Sequence, residues 1–201
     1  MNMVAISKEF LFHMYVVQGM SDSEISKETG VSTLTVSYLR RLHGITRNNK
    51  KGFHFSHELV ASQLRVLGYE VMINDNKTNE SPFDLLVNEQ IRVEVVYSTS
   101  IEHDKENHAL HRFLLYLTKR SIDTASPHYT RLANGRYRKL YNQTCDVLVF
   151  VGHNKVENTF QFWVMPSAIL RDTQQTMGLY IDSAGANKYN IYEDAWDVFN
   201  V

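Results

Sequence analysis

Apolar residues in the first 45 positions recur at helical spacing, whereas those beyond about residue 70 alternate or run together as in strands. Phe10, Met14 and Val17 mark one face of a helix that Gly19 stops. Ser21 and Glu24 form S-x-x-E, the capping-box pattern, at the head of a second helix over 22–29 that Gly30 ends. Ser32 can cap a third, reaching to about Leu42. Ile25, Val31, Val36 and Leu39 are expected to form its shared core, with Ser26 small enough for a close crossing.

Periodicity then stops over His43 to Gly52, a polar and basic stretch bracketed by glycines. It divides the chain into expected domains 1–50 and 51–201. Beyond it, Ser56 is expected to cap a helix with Leu59, Val60, Leu64 and Leu67 inward and Gly68 as its stop. Strands are expected at 69–73, 83–87 and 91–97, the last two joined by the turn 88–90, and again at 146–151 and 160–165. Leu110, Phe113, Leu114 and Leu117 suggest an amphipathic helix. Asn134-Gly135 signals a hairpin between 129–132 and 136–140. The class is α/β.

Composition narrows the function. At 43% hydrophobic and 21% charged over 201 residues, the chain is ordinary globular protein and not a disordered one. A single cysteine, Cys145, excludes an internal disulfide and a Cys-rich zinc site, and its place at the head of a strand suits packing. No apolar run is long enough to cross a bilayer and the first residues lack a signal-peptide pattern, so a cytoplasmic protein without a membrane partner is expected. Charge is strongly blocked. Residues 112–140 hold seven Lys and Arg against one acid, whereas residues 53–111 hold four against ten. Basic blocks beside an acidic one suit a protein that grips a polyanion and keeps carboxylates for a metal; a patchwork surface is the alternative.

The stretch from Ser23 to Arg40 resembles the helix-turn-helix DNA-binding family, with a small residue in the first helix, glycine at the turn and branched residues inward. That resemblance implies that the third helix faces the major groove of double-stranded DNA. Ser32, Thr33, Ser37 and Tyr38 would then meet bases or phosphates, and Arg40, Arg41, Arg47, Lys50 and Lys51 would hold the backbone. A three-helix module used for dimerisation is the other reading. Because one short helix reads few base pairs, a homodimer is expected.

Asp84 and Glu94 each interrupt an apolar strand of the expected hairpin, so their carboxylates can meet across it. Facing acids repel, and a divalent cation relieves them. Helix, strand, Pro82-Phe83-Asp84, Glu94 ten residues on, and the later strand from Cys145 to Val151 together resemble the PD-(D/E)XK nuclease family. The resemblance implies a restriction-endonuclease-like mixed sheet flanked by helices, following the three-helix N-terminus. It implies Asp84 and Glu94 as ligands of Mg²⁺ or Mn²⁺, with Glu58 as a further acid of the catalytic site. The family's lysine, two residues past the Glu, is Val96 here, so Lys105, Lys119 and Lys139 become candidates for the missing cation. Arg131, Arg136, Arg138 and Lys139 interleave with Tyr129, Tyr137 and Tyr141, as in a ribbon on a DNA backbone or in a solvated hairpin. His103, His108 and His111 do not share one helical face, which argues against zinc. The expected function is a Mg²⁺-dependent, site-selective DNA endonuclease of restriction, homing or phage type. The alternative is a DNA-binding transcriptional regulator whose nuclease-like domain no longer cleaves.

Overall fold

The computed structural model describes residues 6–17, 20–45, 55–74, 81–119, 125–181 and 187–200. The chain divides into two compact units, Met1–Phe55 and Ser56–Val201.

In the first unit, α1 (Lys8–Phe12) widens into a π-helical turn, His13–Val17, followed by α2 (Asp22–Thr29) and α3 (Thr33–Leu42). Both caps read from the sequence form. The Ser21 N–H donates to Glu24 Oε2 at 2.7 Å, and the Glu24 N–H donates to Ser21 Oγ at 3.2 Å. Ser32 Oγ accepts from the Thr35 N–H at 3.2 Å. Gly30 turns the chain between the helices at φ +70°, a conformation that a Cβ disfavours. Leu11, Met14, Ile25, Val36 and Ile45 are buried together, with Val31 and Leu39 packed against them. Phe10 remains 39% exposed. Met14 turns inward as expected, but the first helix is short and over-wide, so Leu11 takes the inward place expected of Phe10. Gly19 lies outside the described residues.

Arg40 ties the helices together. Its Nε donates to Asp22 Oδ1 at 2.8 Å, Nη2 to Asp22 Oδ2 at 2.9 Å, and Nη1 to the Ile45 carbonyl at 2.8 Å. Its guanidinium also stacks 4.2 Å over the Tyr15 ring.

The second unit opens on α4 (Phe55–Val66), whose Val60, Ala61 and Leu64 are buried. Ser56 lies inside this helix and is itself buried, so it is no cap; Leu67, past the helix end, is 47% exposed. A five-stranded sheet follows the order β1 (Val71–Ile73), β2 (Leu85–Val87), β3 (Ile91–Ser98), β9 (Val147–Asn154) and β10 (Thr159–Pro166). Only β3 and β9 run parallel. Successive side chains on a strand point to opposite faces, which explains the sheet's two cores. Val93, Val95, Val147, Val149 and Val151 join Val60, Ala61 and Leu64 on one side. Leu148 and Phe150 join Phe113, Trp163 and Met165 on the other. With both faces covered, β9 opens as an unbroken apolar run from Val147 to Val151.

The segment between β3 and β9, with one strand added from beyond β10, forms two small sheets. One orders β11 (Thr176–Tyr180), β5 (Ala109–Leu114) and β4 (Ile101–His103); the other orders β6 (Tyr116–Leu117), β8 (Tyr137–Lys139) and β7 (Tyr129–Arg131). The helix expected around Leu110 to Leu117 is therefore two strands. His111, Phe113 and Leu115 alternate inward while Leu114 stays 57% exposed, a period of two that the extra leucines disguise. The Asn134-Gly135 hairpin forms as read, with Gly135 at φ +79°. A short helix, α5 (Tyr141–Thr144), leads into β9.

His111 is buried against Gly152, where a Cβ would stand 2.3 Å from the imidazole, and edge-on to Trp163. Burial, and secondly the nearby charge of His153, push its pKa down to about 4 from 6.5. The unfolded chain takes up this proton before the folded one does. Stability should therefore fall as pH drops from about 6.5 towards 4, and His111→Phe should flatten that part of a plot of unfolding midpoint against pH. In the first unit, Arg40 holds the Asp22 carboxyl below its usual range, so their pairing contributes above that range and fades as acid protonates Asp22. Arg40→Ala should cost about 1–2 kcal/mol, measured by thermal unfolding at neutral pH.

Candidate active site

Asp84 immediately precedes β2, where pairing with β3 leaves its register. The ladder matches Leu85 with Val93, yet the Asp84 N–H also donates to the Val93 carbonyl, at 2.9 Å. This irregularity turns the Asp84 side chain along β3, where Oδ2 accepts the Val95 N–H at 2.8 Å. Asp84 thus bonds to the residues on both sides of Glu94. Asn74, just past β1, donates from Nδ2 to the Ser81 and Phe83 carbonyls at 2.9 and 3.0 Å, pinning the approach to Asp84. Asp84 is 2% exposed and Glu94 is 7% exposed.

Each acid meets a basic group from a different layer. His57, buried on α4, holds Nε2 at 3.1 Å from Asp84 Oδ1. Lys139, buried at the end of β8, places Nζ 2.5 Å from Glu94 Oε2 and also donates to the Pro82 carbonyl. Tyr141 and Cys145 complete the wall. Burial and, next, the Glu94 charge push both the Tyr141 phenol and the Cys145 thiol well above their ordinary values, so both stay neutral. Cys145 is the packing residue its strand position suggests.

The expected site residues divide accordingly. Asp84 bonds to the backbone of Val93 and Val95, which flank Glu94 on β3. Glu58 does not join them: it turns to Arg65 at 3.6 Å, and its neighbour His57 stands beside Asp84 instead. The helix can aim only one of two consecutive residues at the sheet. The sequence alone does not single out His57; only the burial of one helical face distinguishes it. Arg138 is a correction. It is 1% exposed, donates to the Gln174 and Lys139 carbonyls at 2.6 and 2.7 Å, and stacks 4.2 Å over Tyr141. Arg131 and Arg136 remain exposed, Arg136 lying 3.9 Å over the Tyr116 ring. In the first unit, Ser32, Thr33, Tyr38 and Arg41 are exposed and Ser37 is half-buried, whereas Arg40 is turned to Asp22. Arg47, Lys50 and Lys51 lie outside the described residues.

Among the described residues, no group of three His, Cys, Asp or Glu is arranged to hold a metal ion. Two buried carboxylates nevertheless fit Mg²⁺, which takes hard oxygen ligands and usually keeps water or substrate oxygens for the rest. They do not suit a closed zinc site, which needs four protein ligands.

Removing one member of a buried ion pair leaves the other uncompensated. Glu94→Ala should cost about 3–5 kcal/mol in urea unfolding, and Glu94→Gln, which keeps an acceptor for Lys139, should cost less.

No family model matches the sequence, and no curated protein matches it. Among solved structures, the fold is similar to one titled as that of a bacterial homing endonuclease, I-Ssp6803I. The two are 13% identical with a TM-score of 0.50, over 71% of this chain and 86% of that one. At that identity the likeness is one of fold: a mixed sheet in an endonuclease-like α/β arrangement.

Proposed function

We propose that the chain is a divalent-metal-dependent phosphodiesterase that cleaves double-stranded DNA. One observation carries this reading: a buried acid, Asp84, is bonded to the residues on both sides of a second buried acid, Glu94. Such a pair is costly to keep ionised unless cations stand close by. Asp84 and Glu94 would hold the metal, with the Val95 N–H and His57 fixing the plane of the Asp84 carboxylate. When bound, the cation lowers the pKa of a coordinated water and offsets charge on the phosphate. The likeness to a homing endonuclease supports DNA as the substrate class.

The first unit contributes targeting in this reading. The α2–turn–α3 geometry suits a recognition helix, with Ser32, Thr33, Ser37 and Tyr38 towards the duplex and Arg41, Arg47, Lys50 and Lys51 on phosphates. Arg131 and Arg136 add backbone contacts from the β7–β8 hairpin. Two-fold pairing of chains on DNA would double the site that is read.

The test is plasmid cleavage in Mg²⁺ or Mn²⁺ beside calorimetric titration of the metal. Cleavage should fall at least about 10²-fold in Asp84→Asn and Glu94→Gln. DNA binding should persist in both and weaken steeply with salt. Light scattering should return two chains per bound duplex. A wild-type protein that binds no metal and leaves the plasmid intact overturns the enzyme reading.

A further inference from the structure

We infer that Lys139 supplies the fixed positive charge for phosphodiester cleavage at the Asp84–Glu94 site, carried in by the β7–β8 hairpin. The inference rests on the metal-binding reading of those two acids. On β3 itself, Val96 has no charge to offer and packs against the apolar cluster of Phe113 and Trp163. The ammonium bonded to Glu94 comes from 45 residues further along.

A purely structural role explains this arrangement poorly. A buried ion pair can often be replaced by apolar groups of similar volume at no loss of stability. Here a second buried charge is added to hold the first. The Arg138 Nη1 donates to the Lys139 carbonyl, its Nε reaches the Gln174 carbonyl, and its guanidinium lies over Tyr141. The Lys139 backbone is thereby fixed, and its amine is clamped between Glu94 and the Pro82 carbonyl, two residues before Asp84. The same hairpin leaves Arg131 and Arg136 exposed, so one element can hold a polyanion outside and a cation at the acids.

Hydrolysis adds water across the P–O ester. The water oxygen bonds to phosphorus, the bond to the leaving oxygen breaks, and the water's proton ends, by way of solvent, on that oxygen. The Lys139 side chain offsets charge gathering on the non-bridging oxygens, an electrostatic task that a preorganised donor performs best.

The experiment compares wild type, Lys139→Met, Lys139→Arg and the double variant Lys139→Met with Val96→Lys. Plasmid cleavage, metal titration and the thermal shift caused by Mn²⁺ are read for each. Lys139→Met should cleave about 10²–10³-fold more slowly. It should bind Mn²⁺ more tightly and show a larger shift, because the competing cation is gone. Lys139→Arg should keep part of the rate, and the double variant should recover at least about a tenth of it. The double variant restores a charge beside Glu94, so it decides the matter even if Lys139→Met fails to fold. Wild-type rates in folded Lys139→Met, or a folded, metal-binding double variant without recovery, overturn the assignment to Lys139. Inactivity of the wild type together with absent metal binding overturns the reading of the acids themselves.

Discussion

The contact between Glu94 and Lys139 constrains more of the second unit than any other. Both groups are nearly sealed from water, and an isolated charge at such depth is strongly unfavourable. Their attraction therefore acts as a condition on assembly: β8 must close on β3, or each charge stays in solvent. Several features follow from it. The hairpin must reach the sheet, α5 must bring Tyr141 beneath the lysine, and Arg138 must turn inward to hold the Lys139 carbonyl. Tyr141 and Cys145 stay neutral chiefly because they are buried in this wall, and the Glu94 charge adds to the effect.

Asp84 supplies the complementary constraint from the other layer. Its departure from register costs β2 a regular ladder contact, but the carboxylate itself takes the Val95 N–H, so that donor stays satisfied. The same side chain accepts a buried imidazole from α4. One acid is thus referenced to the helix layer and the other to the hairpin layer, and the sheet between them fixes both. Neither layer alone completes the site. A central strand pair, covered on both faces by apolar side chains, gives both acids a fixed backbone.

Legibility follows from range. The capping box at Ser21, the left-handed Gly30 and the Asn134-Gly135 turn are decided within four residues, and each was readable from sequence. Glu94 stands out in the sequence because it breaks an apolar strand, and Asp84 because it interrupts the apolar run leading into β2. What escaped was anything set by tertiary partners. The segment around Leu110 to Leu117 carries leucines at both helical and strand spacing, and only pairing, of β5 with β4 and β11 and of β6 with β8, makes it two strands. His57 and Glu58 are neighbours on one helix, and the angle at which α4 meets the sheet chose the histidine. Lys105, Lys119 and Lys139 were equivalent by spacing, and long-range closure singled out one.

The basic block at 112–140 shows why a charge count cannot assign roles. Arg112 pairs with Glu102, Arg138 and Lys139 are buried, and Arg131 and Arg136 stay outside. A block that looks like a single electrostatic surface is therefore spent on three tasks: fastening β5 to β4, balancing a buried acid, and presenting cations to solvent. The first unit divides its charge the same way. Arg40 is spent on Asp22, while its neighbour Arg41 faces outward at the end of α3. Adjacent arginines on a helix point about 100° apart, so a single turn can hold the fold with one and leave the other free to meet a polyanion. In both units a cation paired within the fold anchors the element that carries the exposed one. A contact made outside is thus made by a backbone already fixed, and less conformational freedom is lost on binding.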